Sequence, residues 1–228
     1  MKEKNINIIL GVLVLVFIGA LFFYGYDYYN AKTKINETEF YLSDGSICKD
    51  VISYNEFKFC NQSTNLVNLY LLEINDPSSQ LRVLHAFRNL PDSLNNVETD
   101  TGIGMPLVEP ETDTFKRKLY LSVNPNFTGS EILLTTGSIG PVMGSGNIKM
   151  FNMDWSLAFS EDYNGSDWPI KSCKDADNNT AVIEFRRGEE TKLSIEDDCI
   201  VVYGKNETEI IRASDKLLYK LLGVIKSG

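Results

Sequence analysis

The chain has 228 residues, with 31 acidic side chains against 22 basic ones, a formal net charge of −9 and a single histidine. That balance argues against binding nucleic acid or an anionic lipid surface, since both are polyanions, and makes any charged partner a cationic one. With one histidine, any Ser-His-Asp or Cys-His machinery would have to use His85.

Residues 6–24 read INIILGVLVLVFIGALFFY, with Asn7 the one polar side chain and no charge. Nineteen residues at helical rise span roughly 29 Å, about the thickness of a bilayer's hydrocarbon core. The thirteen Ile, Leu, Val and Phe residues between positions 8 and 23 contribute roughly −4 to −8 kcal/mol towards insertion. Tyr24, Tyr26, Tyr28 and Tyr29 then form an aromatic cluster suited to the headgroup region. A cleaved signal peptide has a core of about 7 to 15 residues ending at small side chains. Here the run is longer and Phe and Tyr follow Gly19-Ala20, so an uncleaved anchor is expected. Lys2 and Lys4 precede the helix and Lys32 and Lys34 follow it, so charge sets its direction only weakly. The expected organisation is a cytoplasmic tail (1–5), a transmembrane signal anchor (6–28), a polar stalk (29–38) and an extracytoplasmic domain (39–228). The anchor makes the lipid bilayer the first expected partner.

In the exported region, residues 57–60 and 66–74 read as strands, and 81–87 as a strand or, alternatively, a helix started by Pro77, with turns at Tyr54-Asn55 and Asp76-Pro77. Residues 102–113, rich in prolines and acids, read as an exposed loop that would separate two halves, 39–101 and 115–228. Residues 119–123 form a strand stopped by Asn124-Pro125. The Thr128/Glu131 spacing is a capping box that starts a short helix near 132–136, broken by Gly137, Gly140 and Pro141. From 149 to 159 apolar and polar residues alternate strictly, with Phe151, Met153, Trp155, Leu157 and Phe159 on one face of a long half-buried strand. Residues 181–187 form another strand, closed by Gly188-Glu189-Glu190 as a hairpin turn, and 191–203 read as β ending in a buried strand. The last element is the clearest. Asn206 and Glu209 have capping-box spacing, Ile210, Ile211, Ser214, Leu217, Leu218, Leu221 and Leu222 make an apolar stripe, and Gly223 is the terminating glycine. Arg212, Asp215, Lys216 and Lys220 fall on its charged face. The expected fold is α+β: a disulfide-stabilised, mostly antiparallel or mixed sheet with at least two covering helices.

The four cysteines fall into two local pairs, Cys48 with Cys60 and Cys173 with Cys199. Three connectivities are open, and local pairing is favoured because each pair flanks a hairpin. On a loop-entropy argument the two local bonds would contribute roughly 3 and 3.5 kcal/mol. No CxxC spacing points to a metal site, and paired thiols imply an oxidising, external compartment. N-x-Ser/Thr sequons at Asn36, Asn61, Asn126, Asn164, Asn178 and Asn206 are candidate glycosylation sites in the same setting.

Candidate chemistry is sparse. His85 sits in a β-like run with no GxSxG nearby. Asp175-Ala176-Asp177-Asn178-Asn179 opens like a calcium loop, but Thr180 stands where glycine is needed and Arg186 where a bidentate Glu is needed, so it reads as a polar turn. The glycine-rich stretch 137–146 lacks the Lys-Ser/Thr of a phosphate loop and reads as a mobile connection. Two acidic groups, Glu109, Glu111 and Asp113 together with Glu196, Asp197 and Asp198, are open candidates for a glycosidase-like pair. No catalytic, cofactor or metal residue is singled out.

The run from Cys173 to Ile225 resembles the C-terminal module of short archaeal membrane-anchored extracytoplasmic proteins. It carries their "GxxT" turn (188–191), "CIxVxG" strand (199–204) and "AxDxLxxxLLG" helix (213–223). Residues 54–59 look like their "YNGFxF" hairpin, with Glu56 in place of the glycine, and 87–91 resemble their strand-ending "FRNxP". The resemblance implies an anchor, a Cys173–Cys199 bond, a strand at 81–87 and an archaeal envelope setting. It implies no activity. The functional expectation is a non-enzymatic envelope module for binding, adhesion or assembly, with a protein or glycan partner. The alternatives are a carboxylate-dependent envelope hydrolase and an accessory subunit of a secretion or transport complex.

Overall fold

The computed structural model describes residues 40–75, 82–127, 130–144, 151–162 and 167–226. Among these residues no helix is long and apolar enough to cross a membrane. The predicted anchor (6–28), stalk (29–38) and turn at Asp76-Pro77, and the sequons at Asn36 and Asn164, lie outside them. The fold is α+β, mostly sheet, with two α-helices and two disulfides.

A small hairpin, β1 (Phe40–Tyr41) with β2 (Ile47–Cys48), leads into a four-stranded antiparallel sheet. Its strands run in sequence order: β3 (Val51–Tyr54), β4 (Phe57–Asn61), β5 (Tyr70–Asn75) and β6 (Arg82–Phe87). The β3–β4 turn works without glycine because Asn55 takes the left-handed position at φ 52°. The strand predicted from residue 66 starts only at Tyr70. The Cys48–Cys60 bond ties the small hairpin to β4, where Leu42, Val51, Leu71 and Leu84 pack around it.

The second sheet has six strands. Along it lie β11 (Asp154–Phe159), β10 (Lys118–Val123), β12 (Thr180–Arg187), β14 (Cys199–Gly204), β13 (Lys192–Glu196) and β7 (Glu98–Thr99). The first four are parallel. Strands β12 and β14 are near-continuous buried runs, as strands covered on both faces must be. β13 is only half-buried and pairs antiparallel with β14 on its outer side. This corrects the expected hairpin at Gly188–Glu190. β12 and β13 are not neighbours, because β14 inserts between them and the turn crosses its end, with the Gly188 amide donating to the Gly204 carbonyl at 3.2 Å.

Two further expectations fail around α1 (Ser130–Met143), which joins β10 to β11. Gly137, Gly140 and Pro141 do not end the helix. Pro141 removes one helical hydrogen bond, but packing holds the turn. A Cβ on Gly140 would lie 2.4 Å from the Trp155 ring and one on Gly144 2.3 Å from it, so the indole fits only against bare backbone. The long strand predicted from 149 begins at Asp154, after Asn152 turns the backbone at φ 50° and Met153 bridges Gly144.

The final helix, α2 (Glu207–Leu221), decides the architecture. Asn206 caps it, its Oδ1 accepting from the Glu209 amide at 3.0 Å, and Gly223 takes φ 73° just beyond its end. Glu209 does not reach back to complete the box; it accepts from Thr191 and Arg212. Ile210, Ala213, Leu217 and Leu218 pack with Ile183, Phe185, Ile200 and Val202 of the six-stranded sheet. The opposite flank carries Tyr219, which stacks on Phe87 at 4.2 Å and meets Phe59 edge-on at 5.8 Å. The helix is therefore buried between both sheets in the main apolar core, while smaller clusters surround the Cys48–Cys60 and Cys173–Cys199 bonds.

That position overturns the predicted charged face. Asp215 is only 5% exposed and Lys216 8%. The carboxylate accepts from the Arg88 and Asn89 amides at 3.1 and 2.9 Å and from Asn89 Nδ2 at 2.8 Å. The ammonium donates to the Leu94 and Val97 carbonyls, and the Tyr219 hydroxyl to the Asn89 carbonyl at 2.7 Å. These bonds satisfy the irregular segment after β6, which would otherwise hold buried, unpaired backbone groups.

Candidate functional site

Residues 102–113, expected as an exposed loop from their prolines and acids, lie within a structured segment, 100–115, in which 102–104 and 106–109 are buried or half-buried. Ile103 and Leu107 are buried, a 3₁₀ turn spans Met105–Leu107, and β8 (Val108–Glu109) pairs with β9 (Thr114–Phe115). This segment forms one wall of a cleft of about 770 Å³. The two-residue β13–β14 turn, Asp197 and Asp198, forms the opposite side, and Lys220 and Leu221 at the C-terminal end of α2 close it.

Its floor is apolar, made by Ile103, Met105, Pro106, Phe115, Phe151 and Ile195. Met105 is 73% exposed and Phe115 40%, and the Phe115 ring meets that of Phe151 edge-on at 4.7 Å. Gly102 is needed here for its backbone, which takes the left-handed φ of 73° beside Met105. The rim carries five carboxylates, Asp100, Glu109, Asp113, Asp197 and Asp198, against the one ammonium of Lys220. Asp100 accepts from the Ile195 amide at 2.8 Å, Glu109 from Thr112 at 2.6 Å, and Asp198 is paired with the buried Lys116. Asp113 and Asp197 sit at turn tips in the left-handed region, φ 52° and 54°.

Four of the six acids flagged from sequence therefore converge on one cleft, although about eighty residues separate the two groups. Glu196 is drawn elsewhere: it accepts from Arg186 and Tyr203 on the other side of β13. Burial opposes its charge, but Tyr203 and Arg186 hold its carboxyl below the usual range. Glu111 does not line the cleft. Sequence reasoning missed Asp100, Met105 and Phe115; the one signal available was the acid-and-proline composition of 102–113, which by itself points to a solvated loop.

The remaining candidates are structural. His85 is 6% exposed in β6, set edge-on to Phe87 at 4.7 Å, and burial pushes its imidazole down to about 4. Asp175 and Asp177 spend their carboxylates on the backbone amides of Ser172, Asn179 and Thr180, which hold both below the usual range. Cys173, Glu184 and Cys199 bring ligand atoms within 4.8 Å of one another, but both sulfurs are spent in the Cys173–Cys199 bond. Glu184 accepts from the Cys173 amide and from Arg186.

No protein-family model, curated protein or solved structure matches this chain. Its function has to be read from the cleft.

Proposed function

We propose that this chain is a membrane-anchored, extracytoplasmic binding module of an archaeal envelope, and that the cleft between residues 100–115 and the β13–β14 turn is where it takes its partner. The cleft carries the reading. Solvent-facing Met105 and Phe115 on a rigid floor cost solvation unless something covers them. Its volume falls in the range of sites that hold a ligand or a few side chains. The external setting is supported by all four cysteines being bonded in local pairs, with no free thiol among the described residues.

A photo-crosslinking amino acid placed at Met105 in the full-length protein, in its native membrane, tests this. One specific adduct is expected at 105 and none at Leu66, which is 96% exposed and away from the cleft. The adduct should vanish when Phe115→Ser removes the floor. Equal labelling at both positions would sink the reading.

The hydrolase alternative keeps one observation in its favour, the carboxylates on the cleft rim. Three of the five are already committed to partners in the fold, which leaves Asp113 and Asp197 to act. If it held, Asp113→Asn and Asp197→Asn would each abolish turnover of an envelope glycan.

Glycan attachment gives a separate check on the compartment. The Asn61 side chain donates to Asp50 at 2.6 Å and accepts from the Ser63 amide, and Asn206 caps α2, so both amides are in structural use. Asn178 is exposed in a turn, and Asn126 is exposed as well. Intact-mass measurement of the native protein should show one glycan lost in Asn178→Gln and no change in Asn61→Gln or Asn206→Gln. The reverse pattern would contradict this assignment.

A further inference from the structure

Resting on that reading, we infer that the cleft receives a basic segment of a partner protein in which an Arg or Lys stands beside an apolar side chain. Both halves of that description come from the walls. The rim offers five carboxylates and one ammonium, with Lys116 neutralising Asp198 from beneath. The C-terminal end of α2 adds its partial negative charge at Lys220 and Leu221. An anionic ligand would meet repulsion on three sides, and the chain's net charge of −9 would oppose its approach.

Charge alone does not fit the floor. A small polyamine would leave Met105 and Phe115 as wet as before. A purely apolar peptide would strip water from Asp113 and Asp197 without replacing it, and an uncompensated carboxylate is costly to bury. A guanidinium or ammonium on an aliphatic stem answers both. The stem lies along Met105 and Pro106, the cation meets Asp113 or Asp197, and Phe115 offers a ring that a guanidinium can stack on. A neighbouring Leu or Ile fills the space over Ile103 and Phe151. The two acids stand on turns joined to paired strands, so the charges are held in place before the ligand arrives.

The test uses the full-length protein in phosphatidylcholine nanodiscs and three fluorescein-labelled peptides with Arg-Leu-Arg-Leu, Arg-Ser-Arg-Ser and Glu-Leu-Glu-Leu cores, read by anisotropy. The first should bind at least tenfold more tightly than the others and lose about tenfold in affinity between 0.05 and 0.5 M NaCl. Asp113→Asn with Asp197→Asn should weaken it about tenfold, with folding preserved because Asn is at home at positive φ. Met105→Ser with Phe115→Ser should weaken it as much. Equal binding of the Arg-Ser peptide, binding of the Glu-Leu peptide, or indifference to both double variants would overturn the inference. A cleft that crosslinks a partner at 105 but ignores the Arg-Leu peptide overturns only the partner class. Loss of the crosslink itself removes the reading beneath it.

Discussion

Between pH 4 and 7, Asp215→Asn and His85→Leu should tilt the stability of the protein in opposite directions while the parent stays nearly flat. Burial in the α2 sandwich raises the Asp215 carboxyl to about 7, a shift that the Asn89 side chain and the Arg88 and Asn89 amides only partly offset. Its folded value lies above the unfolded one, so its contribution is fully present below about 3.8 and is lost as the pH rises through about 7. His85 works the other way. Burial lowers it from 6.5 to about 4, so its contribution is present above about 6.5 and is lost as the pH falls through about 4. Each shift is worth roughly 3 to 4 kcal/mol across the same window, with opposite signs. Removing Asp215 leaves the histidine, joined near pH 4 by the lowered carboxyls of Asp175, Asp177 and Glu196 acting in the same direction, and the protein should lose a few kcal/mol on acidification from pH 7 to 4. Removing His85 should make it gain a similar amount. Urea midpoints followed by tryptophan fluorescence at half-unit pH steps would show this. Parallel pH profiles for the two variants would refute it.

A single methyl group at Gly204 should cost about 3 kcal/mol or more, whereas the same change at Gly137 should be neutral or stabilise by up to about 1 kcal/mol. Gly204 ends β14 where α2 crosses it, and a Cβ there would lie 2.5 Å from the Ile210 amide nitrogen and 2.9 Å from the Glu209 carbonyl carbon. Those are backbone atoms of a helix packed between two sheets and cannot swing aside. Moving α2 would also strain the Asp215, Lys216 and Tyr219 bonds to segment 88–97. At Gly137, inside α1, nothing lies within 4 Å of the added carbon, and alanine is the better helix former. Thermal melts of the two variants should move in opposite directions. A Gly204→Ala protein that melts with the parent would show that α2 sits farther from β14 than described.

Much of the fold is legible in local pattern. The α2 cap and terminating glycine, the stop at Asn124-Pro125 and the Cys48–Cys60 bond rest on spacing within a dozen or so residues. The misreadings share one cause: each concerned what lies opposite in space. Gly188–Glu190 has the chemistry of a hairpin turn, but a strand from later in the chain separates the two strands it joins. Gly140 and Pro141 are helix breakers until Trp155, arriving from the next strand, requires a surface without a Cβ.

The cleft divides in the same way. Its ingredients, two acidic groups and a proline-rich stretch, stand in the sequence, and the net charge of −9 is the ground for expecting a cationic partner. Local patterning along the chain pointed to the α+β class and favoured the local cysteine pairs, because both rest on periodicity and on neighbouring elements. Only the tertiary structure decided that Asp113 and Asp197 face one space over Met105 and Phe115, and that Asp215 and Lys216 are buried clamps. The middle of α2, 213–219, is buried all round, and hydrophobic periodicity along one chain segment cannot register a second sheet that closes over it.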